Sequence, residues 1–164
     1  MAPRLSFLLA VFATLVAVSP ASAQSWPAKP VRIFVPFVAG GNSDSVARIT
    51  AEWLTQRIGG PFIVENKPGA AGAIAAEHVA RSQPDGYTLF MATAPQMAIL
   101  PAMTKTPYDP VKDFALISIV GSSVFVLALN DTIPAATLTE FVAYVRERPG
   151  QLSYASAGTG SGTH

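Results

Sequence analysis

Val31-Arg32-Ile33-Phe34-Val35-Pro36-Phe37-Val38-Ala39-Gly40-Gly41-Asn42-Ser43-Asp44 is the stretch that decides the fold. Its opening run is apolar and β-branched, as a buried strand requires, and Pro36 stops it. Asn42-Ser43-Asp44 then offers caps for a helix in which Val46, Ile49, Trp53 and Leu54 share one face, and Gly59-Gly60 ends that helix. The same alternation continues outward. Residues 62–65 form a second strand candidate, Asn66-Lys67-Pro68-Gly69 turns the chain into an Ala-rich helix over 72–81, and Pro84-Asp85-Gly86 leads to a third strand over 87–92. Strands joined through helices predict right-handed βαβ crossovers and a mainly parallel sheet, the α/β class.

From 93 to 114 the pattern weakens. Pro95, Pro101, Pro107 and Pro110 forbid a long helix, leaving loop and short helical turns. Residues 116–120 and 124–129 are strand-like, and Gly121-Ser122-Ser123 between them marks a change of domain. Thr137 with Glu140 has capping-box spacing ahead of Leu138, Phe141, Val142 and Val145. Arg146 and Arg148 favour the negative end of that helix, and Pro149-Gly150 closes it. One more strand, 152–156, runs into Ala157-Gly158-Thr159-Gly160-Ser161-Gly162-Thr163-His164. A glycine-rich strand-to-helix turn with no helix after it is the expected mark of a partial chain.

Before this pattern begins, the chain carries a three-part export signal: Arg4, the uncharged apolar run 5–18, and the small-x-small site Ala21-Ser22-Ala23. The expected signal peptide is residues 1–23, with Gln24 as the mature start and the periplasm as destination. Setting Arg4 aside leaves ten basic against ten acidic side chains. That balance, with no basic cluster, argues against nucleic acid or an anionic membrane surface as a partner. The lack of cysteine excludes a disulfide scaffold, a thiolate metal site and a lipid-modified N-terminal Cys.

Three small-residue loops each follow a predicted strand: 36–44, 92–95 and 156–163. In a parallel sheet such loops gather at the carboxyl edge, where ligands of α/β proteins bind. Two of them should run into helix N-termini, whose free amides and dipole favour an anion. Neither the first loop nor the last contains Lys or Arg, so a single carboxylate suits them better than a phosphate chain. Ser43, Thr93, Ser156, Thr159 and Ser161 could add hydroxyls. Gly158-Thr159-Gly160-Ser161-Gly162 lacks the spacing of both nucleotide fingerprints, and Ser161 lacks that of a nucleophile elbow. His78 and His164 stand far apart and neither has the spacing of a metal-ligand set, so no metal site or cofactor is expected and His78 is expected to be structural. Trp53 is expected in the core. Asp44 either complements the helix dipole or orders ligand and water.

Taken in order, the motifs resemble the substrate-binding proteins of tripartite tricarboxylate transporters, the Bug or TctC-like family. They are Trp26-Pro27-Ala28-Lys29-Pro30-Val31-Arg32, the stretch from Val35 to Asp44, Val64-Glu65-Asn66-Lys67-Pro68-Gly69-Ala70-Ala71-Gly72, Pro84-Asp85-Gly86-Tyr87-Thr88-Leu89, Pro107-Tyr108-Asp109-Pro110-Val111-Lys112-Asp113-Phe114 and Leu152-Ser153-Tyr154-Ala155-Ser156-Ala157-Gly158-Thr159-Gly160-Ser161. The resemblance implies a periplasmic-binding-protein type II-like fold of two parallel-sheet lobes, with residues 24–122 in the first lobe and 123–164 beginning an incomplete second. It implies a carboxylate ligand (a di- or tricarboxylate, an acidic amino acid or an aromatic acid), membrane transporter subunits as partners, no catalysis, and a monomer at full length. Carried over by motif, the ligand residues are Phe37, Ala39, Gly40, Gly41 and Asp44 on one side, Ser156, Ala157, Gly158, Thr159, Gly160 and Ser161 on the other, and Thr93 and Ala94 along the cleft. Met97 and Leu100 stand where many relatives carry His and Asn, which makes that wall less polar. The competing readings are an α/β enzyme acting on an acyl or phosphoryl substrate, for which no nucleophile–base pair can be assembled from spacing, and a periplasmic sensor or adaptor.

Overall fold

The computed structural model describes residues 25–164, so the expected export signal and the start at Gln24 lie outside the described residues. Strand β1 (Val31–Val35) is followed by helix α1 (Asn42–Ile58), strand β2 (Phe62–Asn66), a 3-10 turn (Ala70–Gly72), helix α2 (Ala73–Ala80) and strand β3 (Thr88–Phe90). The sheet has the order β2-β1-β3 and is wholly parallel, with Val31 opposite Phe62 on one side and Arg32 opposite Thr88 on the other. This is the βαβαβ unit that the sequence predicts.

β1 lies in the middle and is buried on both faces, with Val31, Ile33, Phe34 and Val35 all at most 3% exposed. Central parallel strands need helices on either side, which explains why the run lacks strict alternation. Arg32 is the exception, and it escapes to solvent by pairing with Glu65 on the neighbouring strand. Val31, Ile33 and Val35 pack with Ala47 and Ala51 of α1 and Phe62 of β2, flanked by Leu54, Val64, Tyr87 and Leu89.

α1 meets the sheet through a different face from the one expected. Asp44, Ala47 and Ala51 are buried and Leu54 packs beside them, whereas Ile49 and Trp53 are 69% and 56% exposed. Residues 44, 47, 51 and 54 follow the three-and-four spacing of one helical stripe, and the small side chains of Ala47 and Ala51 let the helix axis come close to the strands. Trp53 lies outside that stripe, with the Arg57 guanidinium over its ring. The start of α1 also differs: Gly41 is the N-cap, and no side chain caps the helix.

Beyond β3 a π-helical turn (Pro95–Ile99) runs directly into helix α3 (Leu100–Met103), short as the prolines demand. Helix α4 (Leu138–Arg146) has the full capping box: Glu140 N–H donates to Thr137 Oγ1 at 3.3 Å, and Thr137 N–H donates to Glu140 Oε2 at 3.1 Å. The expected strands over 116–120, 124–129 and 152–156 do not form. Their side chains lie open to solvent, Ile119 at 89% and Val126 at 86%. Strand propensity needs a neighbouring backbone to pair with, and none is available to these runs among the described residues.

The core assignment predicts a sharp contrast in urea unfolding. Ile33→Ala is expected to cost about 2–5 kcal/mol through the cavity it leaves, while Trp53→Ala is expected to stay within about 1 kcal/mol because its ring packs only on the surface.

Candidate functional site

Parallel strands deliver their carboxyl ends to one edge, so the segments after β1, β2 and β3 begin side by side. Two polar knots hold them. In the first, Asp44 is 3% exposed and uses both carboxylate oxygens. Oδ2 accepts from Gly40 N–H at 2.9 Å and Arg48 Nε at 3.0 Å, and Oδ1 accepts from Arg48 at 3.0 Å and Asn66 Nδ2 at 2.9 Å. Asn66 Nδ2 also donates to the Phe37 carbonyl at 3.0 Å. Asp44 therefore ties the glycine loop to the end of β2. Its oxygens are committed to protein donors, which favours ordering of the loop over direct ligation.

In the second knot the side chain of Gln96 has no exposure. Its Nε2 donates to the Ala71 carbonyl at 2.6 Å, and its Oε1 accepts from Thr93 N–H at 3.0 Å and Thr93 Oγ1–H at 2.7 Å. The buried Tyr108 hydroxyl donates to the Gln96 carbonyl at 2.8 Å. Burial pushes the Tyr108 pKa up, so it remains a donor. Gly72 makes the knot possible: a Cβ there would collide with the Gln96 carboxamide and approach Pro36 Cβ to 2.7 Å, and its φ is +93°. Ala70 and Ala71 also have left-handed φ, 48° and 51°, a strain of about 1–2 kcal/mol per residue that the Gln96 bond helps to hold.

The last glycine loop bears on the same corner. Gly160, at φ +82°, lies so close to Leu100 that a Cβ would come within 2.5 Å of Leu100 Cδ2 and 3.8 Å of the Ala71 methyl. Leu100 in place of a polar residue thus serves packing. Gly160 and Ser161 are buried, while residues 156–159 are exposed. Inside the loop, Ala157 N–H donates to Thr163 Oγ1 at 3.0 Å, Gly158 N–H to Ser156 Oγ at 3.0 Å and Ser161 N–H to the Gly158 carbonyl at 3.0 Å.

The expected ligand residues fall into linked groups. Phe37, Gly40, Gly41 and Asp44 gather around the first knot, and Ala39 is exposed between them. Thr93 belongs to the second knot, with Ala94 exposed beside it. Ser156, Ala157, Gly158, Thr159, Gly160 and Ser161 form the third group, which reaches the other two through Ala71 and Gly72. Among the described residues, the amides of Asn42, Ser43 and Asp44 at the start of α1, and those of Thr159 and Gly160, take no protein acceptor. These are the donors with capacity to spare.

Sequence reading missed Asn66, Arg48 and Gln96. Arg48 stands four residues after Asp44, the spacing of a helical ion pair. Gln96 stands three after Thr93, a capping-box spacing that the intervening Pro95 obscures. His78 meets Phe34 edge-on at 4.6 Å, a packing role. Ser156 Oγ and Tyr154 Oη both lie 3.2 Å from His164 Nδ1, all exposed, and among the described residues no carboxylate side chain orients the ring. Among the described residues no three acidic, His or Cys side chains converge as metal ligands, and no helix is long and apolar enough to cross a membrane.

The sequence profile of the tripartite tricarboxylate transporter family receptor matches residues 46–164. The chain belongs to this receptor family. Curated relatives include BugT of Bordetella pertussis, 35% identical over 164 residues; the match covers 98% of this chain and 50% of BugT. The chain spans about half the length of the curated relatives it matches. A solved structure described as a periplasmic transporter is 41% identical with a TM-score of 0.74, over 83% of this chain and 46% of that one. A Rhodopseudomonas palustris protein with adipate is 31% identical with a TM-score of 0.67 over 83% and 46%. MatC from Rhodopseudomonas palustris, with bound malate, is 30% identical with a TM-score of 0.59 over 74% and 42%. The family and these relatives put the receptor among periplasmic proteins of the binding-protein fold.

The Asp44 knot carries a pH signature. Arg48 first, then the Gly40 amide and Asn66, hold the Asp44 carboxyl well below its usual range, and Arg32 lowers the Glu65 carboxyl. A carboxylate with a depressed folded pKa contributes stability that is complete above the unfolded value, about 4, and disappears as pH falls through the folded one. The urea midpoint is therefore expected to drop between about pH 5 and pH 2. Asp44→Asn should lower the midpoint at pH 7 and flatten this slope, measured by fluorescence-detected unfolding; an unchanged slope would refute the assignment.

Proposed function

We propose that this chain supplies the first binding wall of a periplasmic receptor that captures a small dicarboxylate and presents it to the membrane subunits of a tripartite transporter. The observation that carries the reading is the set of unspent amides at the start of α1 and in the glycine loop around Gly160, linked through Ala71, Gly72 and Gln96 at one sheet edge. Amide donors at a helix start, together with its dipole, suit a carboxylate. The Asp44–Arg48 pair leaves the nearby loop electrically neutral, so the ligand meets dipoles rather than a strong fixed charge. Adipate and malate in two relatives support the ligand class.

In this reading the amides of Asn42 and Ser43 hold one end of the ligand, with Gly40 and Gly41 leaving room for its approach, Thr159 and Gly160 approach the other end, and Thr93 lines the floor. Capture is binding without chemistry: the ligand favours whichever arrangement brings both sets of amides onto it, and its differential affinity shifts the population there. The export signal over 1–23 would deliver the chain to the compartment where this happens.

Amide-detected NMR of the chain titrated with adipate tests the site directly. Shifts are expected at Asn42, Ser43, Thr93, Thr159 and Gly160. Gly41 has ordinary backbone angles, and a Cβ there would meet only the Val38 carbonyl at 3.6 Å, an ordinary contact. Gly41→Val is thus expected to keep the fold while removing the Asn42 and Ser43 shifts. Shifts confined to other surfaces, or full retention of binding in the variant, would sink the proposal.

A further inference from the structure

Two Thr-x-x-Glu/Gln boxes in this chain are wired differently. At the start of α4, Thr137 Oγ1 accepts the Glu140 amide, so the hydroxyl acts as an acceptor within the box. Before the π-helical turn, Thr93 Oγ1 is 2.7 Å from Gln96 Oε1, and the Gln96 amide goes to the Thr93 carbonyl at 3.2 Å. A carboxamide oxygen can only accept, so the hydroxyl must donate. The orientation of the carboxamide is not free to reverse: Nε2 donates to the Ala71 carbonyl, and a flip would set two oxygens face to face at 2.6 Å. Thr93 therefore has its proton committed and, among the described residues, its oxygen lone pairs unspent, on a half-buried residue at the carboxyl edge.

We infer that Gln96 is a positioning residue that makes Thr93 a hydrogen-bond acceptor, so that the site prefers a carboxylate bearing a hydroxyl donor over one without it. A bare carboxylate or a methylene at Thr93 gains nothing from this oxygen, and a carboxylate would meet it lone pair to lone pair. A 2-hydroxy acid can donate to it. One neutral hydrogen bond of ordinary net strength corresponds to a preference of about five- to tenfold. The inference rests on the proposed site and refines its ligand class.

The test compares malate with succinate, two dicarboxylates that differ by one hydroxyl, by amide-detected NMR titration of the chain. Malate is expected to bind about five- to tenfold more tightly. Thr93→Val should bring the malate-to-succinate ratio to about one, whatever it does to the two affinities together. Gln96→Met, which keeps the volume but removes the acceptor, frees the Thr93 proton, so the malate-to-succinate ratio should fall toward or below one even if both affinities drop. A purely structural Gln96 would weaken both acids equally and preserve the ratio, overturning the inference. Equal affinities in the unaltered chain would overturn it while leaving the dicarboxylate site intact. Absence of shifts with either acid would reject the site itself and this inference with it.

Discussion

A carboxamide shut away from water has to satisfy its oxygen and its nitrogen inside the protein, and Gln96 does so by joining two loops that lie 25 residues apart in the chain. The space it occupies exists only because residue 72 has no Cβ, and its bond to Ala71 holds two alanines in a backbone conformation they would otherwise leave. Because Gly160 rests on Ala71 and Leu100, the position of the last glycine loop depends in turn on that bond. The three strand ends would reach the same edge without Gln96, but the loop after β3 would lose its bond to the loop after β2.

The Asp44 knot is the charged counterpart of this neutral one. A single buried carboxylate gathers the glycine loop, the first turn of α1 and the end of β2. Every donor spent on Asp44 comes from outside the helix's own first amides, so those amides stay available. Such an arrangement fixes the backbone with side chains and leaves backbone donors for a guest, which is how a neutral surface can hold an anion.

The strands and crossovers of the sheet were legible because they depend on local composition: apolar runs stopped by Pro36 and by Pro84-Asp85-Gly86, with helical segments between. The buried face of α1 was not. Large apolar residues such as Ile49 and Trp53 dominate a periodicity count, whereas the packing is decided by Ala47 and Ala51, whose small size permits close approach. Residues 116–129 illustrate the opposite limit, since propensity in a sequence does not say whether a pairing backbone is at hand. At the site, the small-residue loops were visible as a pattern. The residues that position them were not, because Asn66 and Gln96 act through partners distant in sequence, and a polar side chain that is to be buried looks the same in a sequence as one that is to be solvated.

Helix α4 holds itself together by its ends. It has no buried residue, and its Thr137–Glu140 caps are exposed. A helix of nine residues with no fully buried side chain is marginal in water, and its helix content is expected to change gradually with temperature. The sheet with α1, by contrast, shares one apolar core and melts as a unit. The chain is therefore expected to show no single melting temperature, with circular dichroism following a sloping loss of helix superposed on a cooperative step and calorimetry registering only the step.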